Sequence, residues 1–182
     1  VLEESLLREG IPYRIYGGQR FYERLEIRNA LAYLRVAQIR EDDPALERVL
    51  NTPPRGIGAK TVEKLREVAR SEQVSLWRAS CLVLERELLP ARALAALAKF
   101  QALIEDFDRA AETLPLNEFT EHVIAISGLL EYHRAEKGER GQARVENLQE
   151  LVTATRLFEP EDETISPLQA FLDSAALDAG EG

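Results

Sequence analysis

From Phe21 to Ala175, apolar residues recur at three- and four-residue intervals, broken by residues that favour helix starts. That spacing puts side chains on one face of an α-helix and excludes a sheet as the body of the chain. Phe21 to about Gln38, with Leu25, Ile27, Ala30, Leu31, Leu34 and Val36, predicts one amphipathic helix. Asp43-Pro44 predicts the next start, because Asp accepts from first-turn amides and Pro suits the first helical position. That helix is expected to end near Asn51, before Pro53-Pro54. Further helices are expected from Ala59 to Arg70, after a Ser75 cap, and from Ala91 to about Thr113. Another is expected after an Asn117 cap, closing at Gly128, followed by Leu129–Lys137 and Gln142–Phe158. Ser166-Pro167-Leu168-Gln169 reads as a capping box that opens a last helix. At the front, Leu2–Glu9 reads as a short helix and Tyr13–Tyr16 as the one convincing strand, ended by Gly17-Gly18. The expectation is a mostly α, multi-helix fold with a small α/β stub at the N-terminus.

A single strand needs a partner from other chain. The sequence also begins at Val1, has no methionine in 182 residues and ends on Ala179–Gly182, which reads as an opened linker. A piece of a longer protein is expected.

With 45% hydrophobic and 30% charged residues, the chain can build a real core, which excludes disorder over most of its length. One cysteine excludes a disulfide framework, and Cys81 with His122 and His133 is too small a set for a zinc site. A lone thiol fits the reducing cytoplasm. No apolar run approaches the roughly 20 residues of a membrane helix, so no membrane contact is expected. Cys81 is expected to be an inert buried thiol, Trp77 a core residue, and His122 and His133 surface residues on helices.

The formal net charge is −9, yet seven acidic residues and no Lys or Arg lie between Leu157 and Gly182. Within Asn51–Arg70 five basic residues (Arg55, Lys60, Lys64, Arg66, Arg70) face two acidic ones (Glu63, Glu67). Local potential governs phosphate contact, so the acidity excludes only a uniformly basic nucleic-acid binder.

Pro53-Pro54-Arg55-Gly56-Ile57-Gly58-Ala59-Lys60-Thr61 lies between two expected helices. Gly56 and Gly58 flank one apolar residue, so backbone can come close to another molecule without a Cβ in the way. The turn runs into a helix N-terminus, where free amides and the dipole favour phosphate. Ile57 should point inward to hold the hairpin, and Lys60 and Thr61, in the first turn, can reach phosphate oxygens. This resembles a helix-hairpin-helix motif, which grips a duplex backbone without reading bases. A plain helix–helix turn with a glycine cap is the alternative.

A wider resemblance covers nearly the whole chain. Tyr13-Arg14-Ile15-Tyr16-Gly17-Gly18 with Phe21, then Glu26-Ile27 and Leu31–Arg35, resembles the block after motif IV of superfamily 1A DNA helicases. Asn51–Gly58, then Arg144, Glu146, Asn147, Leu148 and Glu150–Thr155, then Pro167–Leu172 and Ala179–Gly182 follow in the family's order. The pattern is similar to the UvrD/Rep/PcrA branch, which implies a bacterial, cytoplasmic protein. There the corresponding region is the 2B subdomain, inserted in the second RecA-like domain.

The resemblance implies residues 1–18 as a RecA-like stub and hinge, 19–177 as a helical 2B subdomain with its hairpin at 53–61, and 178–182 as the return hinge. It implies DNA contacts from Arg55, Gly56, Ile57, Gly58, Lys60, Thr61, Arg144 and Asn147, and hinge roles for Gly17, Gly18 and Gly180. The implied function is sequence-independent duplex or junction binding, with swivelling control of a 3′–5′ unwinding motor in DNA repair or replication. The chain holds no Gly-x-x-x-x-Gly-Lys-Thr phosphate loop, so ATP and Mg²⁺ would be bound by the parent's other domains and no cofactor by this segment. Implied partners are DNA, the remaining helicase domains and repair proteins. The rival reading is a non-catalytic protein-interaction or autoinhibitory module with little DNA affinity. A helix-hairpin-helix base-excision enzyme ranks last, because no carboxylate after the hairpin stands apart from ordinary solvated faces.

Overall fold

The computed structural model describes residues 19–180, and among these it contains ten helices and no strand. They are α1 (Gln19–Glu23), α2 (Leu25–Gln38), α3 (Asp43–Val49), α4 (Ala59–Glu72) and α5 (Leu76–Glu85), followed by α6 (Ala91–Thr113), α7 (Leu116–Ile126), α8 (Leu129–Arg134), α9 (Glu139–Leu157) and α10 (Pro167–Asp178). The expected helix Leu2–Glu9, the strand Tyr13–Tyr16 and the hinge glycines Gly17 and Gly18 lie outside the described residues.

The α2 helix is the centre of the fold. It touches α1, α3, α6, α7, α9 and α10, and it buries Ile27, Ala30, Leu31, Ala32, Tyr33, Leu34 and Val36. A helix enclosed on so many sides needs apolar residues nearly all round, which the run Ala30–Leu34 supplies. Around it α4 pairs with α5, α7 and α8 pair with α9, and α10 lays Phe171, Leu172 and Ala175 against α1 and α2. Edge-to-face contacts link Tyr33 to Phe107 on α6 and Phe107 to Phe119 on α7, at 6.2 and 6.4 Å between ring centres.

Several local expectations need correction. The single helix from Phe21 is two, because Arg24 adopts an extended conformation (ψ 141°) between α1 and α2. The cap of α3 is Asp42, whose side chain accepts from Ala45 N at 3.2 Å. Asp43 lies inside the helix, and its Oδ1 instead accepts from Leu76 N at the start of α5. Asn117 caps nothing, since α7 begins at Leu116 behind Pro115. Ser75 and Ser166 do cap, accepting from Arg78 N and Gln169 N, but Gln169 bonds forward to Asp173 rather than back to its cap.

His133 is 2% exposed and not a surface residue: its Nδ1 meets Glu136 Oε1 at 2.5 Å. His122 is half-buried, its Nε2 2.7 Å from Asp106 Oδ2. Trp77 packs partly against the core under the Arg40 guanidinium, and Cys81 is half-buried, its Sγ accepting from Gln101.

Candidate nucleic-acid interface

The loop from Leu50 to Gly58 joins α3 to α4 and is anchored from below. Leu50 and Ile57 are each 1% exposed, so the loop's two apolar side chains are core residues. Asn51 shapes the turn through one oxygen, its Oδ1 accepting from Arg55 N at 2.6 Å and Ile57 N at 3.2 Å.

Arg55 points inward. Its Nη1 donates to the carbonyls of Val49 and Leu50, at 2.5 and 2.9 Å, where the C-terminal dipole of α3 favours a cation. Its Nη2 donates to Tyr33 Oη at 2.5 Å and to Ser127 O at 3.1 Å, and Tyr33 in turn donates to Thr52 O. The guanidinium also lies 5.3 Å from the Phe100 ring centre. One side chain thus fastens the hairpin to α2, to α6 and to the turn between α7 and α8. Burial pushes the Tyr33 hydroxyl above its ordinary pKa, partly offset by the Arg55 charge.

The tip presents Gly56, Gly58, Ala59 and Lys60 to solvent. The two glycines serve different ends. Gly56 sits at φ +85°, a conformation that L side chains rarely adopt. Gly58 has φ −91° and ψ −170°, open to any residue, and a Cβ built on it meets nothing within 4 Å. Its bareness leaves space above the first turn of α4. That turn contains no acidic residue, and the amides at its start have no partner within the helix. Thr61 is 5% exposed, so its side chain faces the core rather than the tip. Lys64 pairs with Glu67 and Arg66 with Glu47. Lys60 is the cation nearest the tip, with no carboxylate partner among the described residues.

Arg144 and Asn147 bolt α9 to its neighbours. Asn147 Nδ2 donates to Glu26 Oε2 at 2.7 Å, and Glu26 is 3% exposed. Arg144 Nη1 reaches both Glu136 oxygens, at 3.1 and 3.2 Å, and its Nε lies 3.7 Å from Glu26 Oε1. The site residues expected from sequence therefore separate into an exposed tip (Gly56, Gly58, Lys60), two buried residues (Ile57, Thr61) and a partly buried frame (Arg55, Arg144, Asn147). Gly180, an expected hinge residue, follows α10 at φ +79°.

Charge counting within residues 51–70 missed a second cationic feature. Arg28 and Arg35 on α2 and Arg48 on α3 line a concavity of about 340 Å³ beside the hairpin's first helix. Arg48 is pushed below its ordinary pKa, first by burial and then by the like charge of Arg28. Asp42 also lines this hollow, but its carboxylate is engaged in capping α3. The available signal was the seven-residue spacing of Arg28 and Arg35, two turns apart on one helix face.

Along residues 1–182 the chain matches the UvrD-like helicase C-terminal domain. It belongs to that family. Relatives of this UvrD-like chain include DNA helicase II of Escherichia coli, 52% identical over 184 residues, and DNA helicase II of Haemophilus influenzae, 51% over 183, each covering 100% of this chain. The ATP-dependent DNA helicase PcrA of Bacillus subtilis is 37% identical over 177 residues, 97% of this chain. The chain spans about a quarter of the length of these relatives (26%, 25% and 24%). Among the described residues of this UvrD-like chain, no helix is long and apolar enough to cross a membrane, and no cluster of metal-ligating side chains occurs.

Proposed function

We propose that this UvrD-like segment is the 2B subdomain of an ATP-dependent 3′–5′ DNA helicase. Its role there is to hold duplex DNA, or the junction of duplex and single strand, by the phosphate backbone. The observation that carries the reading is the hairpin tip. Gly58 is exposed and bare at the N-terminus of α4, Lys60 stands beside it, and Arg55 and Asn51 hold the loop rigid from beneath. Backbone amides, a helix dipole and one cation suit a phosphate oxygen and carry no base information.

Gly58, Ala59 and Lys60 make the contact; Gly56 sets the turn, and Arg55, Ile57, Thr61 and Asn147 keep the tip in place. Arg28, Arg35 and Arg48 extend the positive surface along the duplex. The parent's other domains bind ATP and Mg²⁺ and track the single strand. Swivelling about residues 17–18 and 178–182 then sets how the grip meets the motor, in DNA repair or replication.

The rival reading, a docking module for repair proteins or a brake on the motor, draws on the net charge of −9 and on the pairing of Lys64 and Arg66 with carboxylates. Fluorescence anisotropy with duplex and single-stranded oligomers separates the two. The grip predicts duplex binding that is indifferent to sequence and about tenfold weaker for Lys60→Glu, the scale of one lost charged contact. Equal duplex affinity for a well-folded Lys60→Glu variant would favour the docking module.

A further inference from the structure

A second cavity, of about 430 Å³, adjoins the hairpin and shares Arg48 with the hollow lined by Arg28 and Arg35. The loop residues Asn51 and Pro53 form one wall, and Tyr132, His133 and Arg144 form another. Its polar lining is dominated by hydrogen-bond donors. Arg48 uses only its Nε, which donates to Asn29 Oδ1 at 2.8 Å, and its two Nη groups bond to nothing among the described residues. Asn51 spends its oxygen on the loop amides, which leaves its NH₂ group. The carboxylates that hold Arg144, Glu26 and Glu136, sit behind it, and no Asp or Glu lines the cavity among the described residues.

His133 also lines the cavity; it is 2% exposed with its Nδ1 held by Glu136, so a ligand beside Tyr132 and Arg144 changes the surroundings of its ring. The rest of the wall, Pro53 and the half-exposed Tyr132 ring, is apolar and flat. The volume exceeds what a bare phosphate fills and lies in the range of small-ligand sites.

We propose that this cavity is a nucleotide-binding subsite, taking one phosphate between Arg48, Arg144 and the Asn51 amide, with the attached sugar and base against Tyr132 and Pro53. It is separate from the hairpin tip. It rests on the DNA-binding reading only for the source of its ligand, a nucleotide unstacked from the strand that the tip holds.

Deoxyadenosine monophosphate, deoxyadenosine and inorganic phosphate are titrated into the protein while the His133 ring nitrogens are followed by NMR. The expected result is a saturable shift of the His133 ring resonances with the monophosphate, at about tenfold higher affinity than with nucleoside or phosphate alone, as expected when both halves of a ligand contribute. Arg48→Gln should weaken the monophosphate about tenfold and Arg48→Lys less. Tyr132→Ala, at an exposed position, should weaken the monophosphate but not inorganic phosphate. Gly58→Thr should leave all three titrations unchanged even where it abolishes duplex binding, so the cavity and the tip fail separately. No saturable shift, or a monophosphate no tighter than inorganic phosphate, overturns the proposal. Circular dichroism confirms that each variant is folded.

Discussion

The same side-chain chemistry serves inside and outside the hairpin, and Arg55 shows the consequence. An arginine next to a Gly-Ile-Gly turn reads as a phosphate ligand, yet its guanidinium meets the Val49, Leu50 and Ser127 carbonyls and the Tyr33 hydroxyl. Only the planar fork reaches so many acceptors at once, and an ammonium does not replace it. Arg55→Lys is therefore expected to cost about 1–3 kcal/mol of stability, the range for hydrogen bonds to charged groups, read from the urea midpoint. A midpoint equal to wild type would return Arg55 to the surface. Glu136 gives a prediction in pH. Its hydrogen bond to His133, then its contacts with Arg144, hold its carboxyl below the usual carboxylate range. A depressed folded-state pKa contributes stability above the unfolded value, and that stability is lost as pH falls through the folded value. Glu136→Gln should thus flatten the loss of thermal stability on acidification below the ordinary carboxylate pKa. An unchanged acid slope would count against the ion pair.

At the scale of elements, Gly141 sets two principles against each other. A glycine inside α9 should yield to alanine with a gain in helix propensity of roughly 1 kcal/mol. A Cβ at this position, however, would stand 2.5 Å from Glu136 O and 2.8 Å from His133 O, backbone atoms at the end of α8 and just past it. The clash wins, and Gly141→Ala should destabilise by about 1–3 kcal/mol, as overpacking does; a raised melting temperature would show that the α8–α9 approach is looser. Much of the element order was legible because caps and periodicity agreed, as at Ser75, Ser166 and Ala91–Thr113. The break at Arg24 had no signal, since no Pro or Gly marks it. Asp42 and Asp43 are chemically equal candidates, and tertiary packing against Leu76 decided between them. His133 looked like a surface residue because a polar ring on a short helix gives no hint of a buried carboxylate partner. At the hairpin, the exposed turn of Gly56, Gly58 and Lys60 was readable from local pattern. The Arg28–Arg35–Arg48 hollow was not, because it joins two helices that only the fold brings together.

For the whole molecule, the charge pattern bounds how the proposed grip on DNA could work. A net charge of −9 with few free cations at the tip predicts a shallow salt dependence, with log K falling by about 0.9 per phosphate neutralised. Arg28→Gln and Arg35→Gln should each lower that slope by about one phosphate and leave base preference unchanged. Unaltered slopes would confine the contact to the hairpin. The proposed grip depends on bare backbone at Gly58 approaching a phosphate. Gly58→Thr tests it cleanly, because the backbone there accepts any residue, the space is empty, and Thr is a competent N-cap. The measurement is duplex affinity by anisotropy across a salt series, for wild type and Gly58→Thr, with melting temperatures beside it. The account predicts an unchanged or higher melting temperature with duplex affinity lowered about tenfold or more at every salt concentration, the scale of a lost charge-assisted contact. A stable Gly58→Thr protein that binds duplex as tightly as wild type would contradict it.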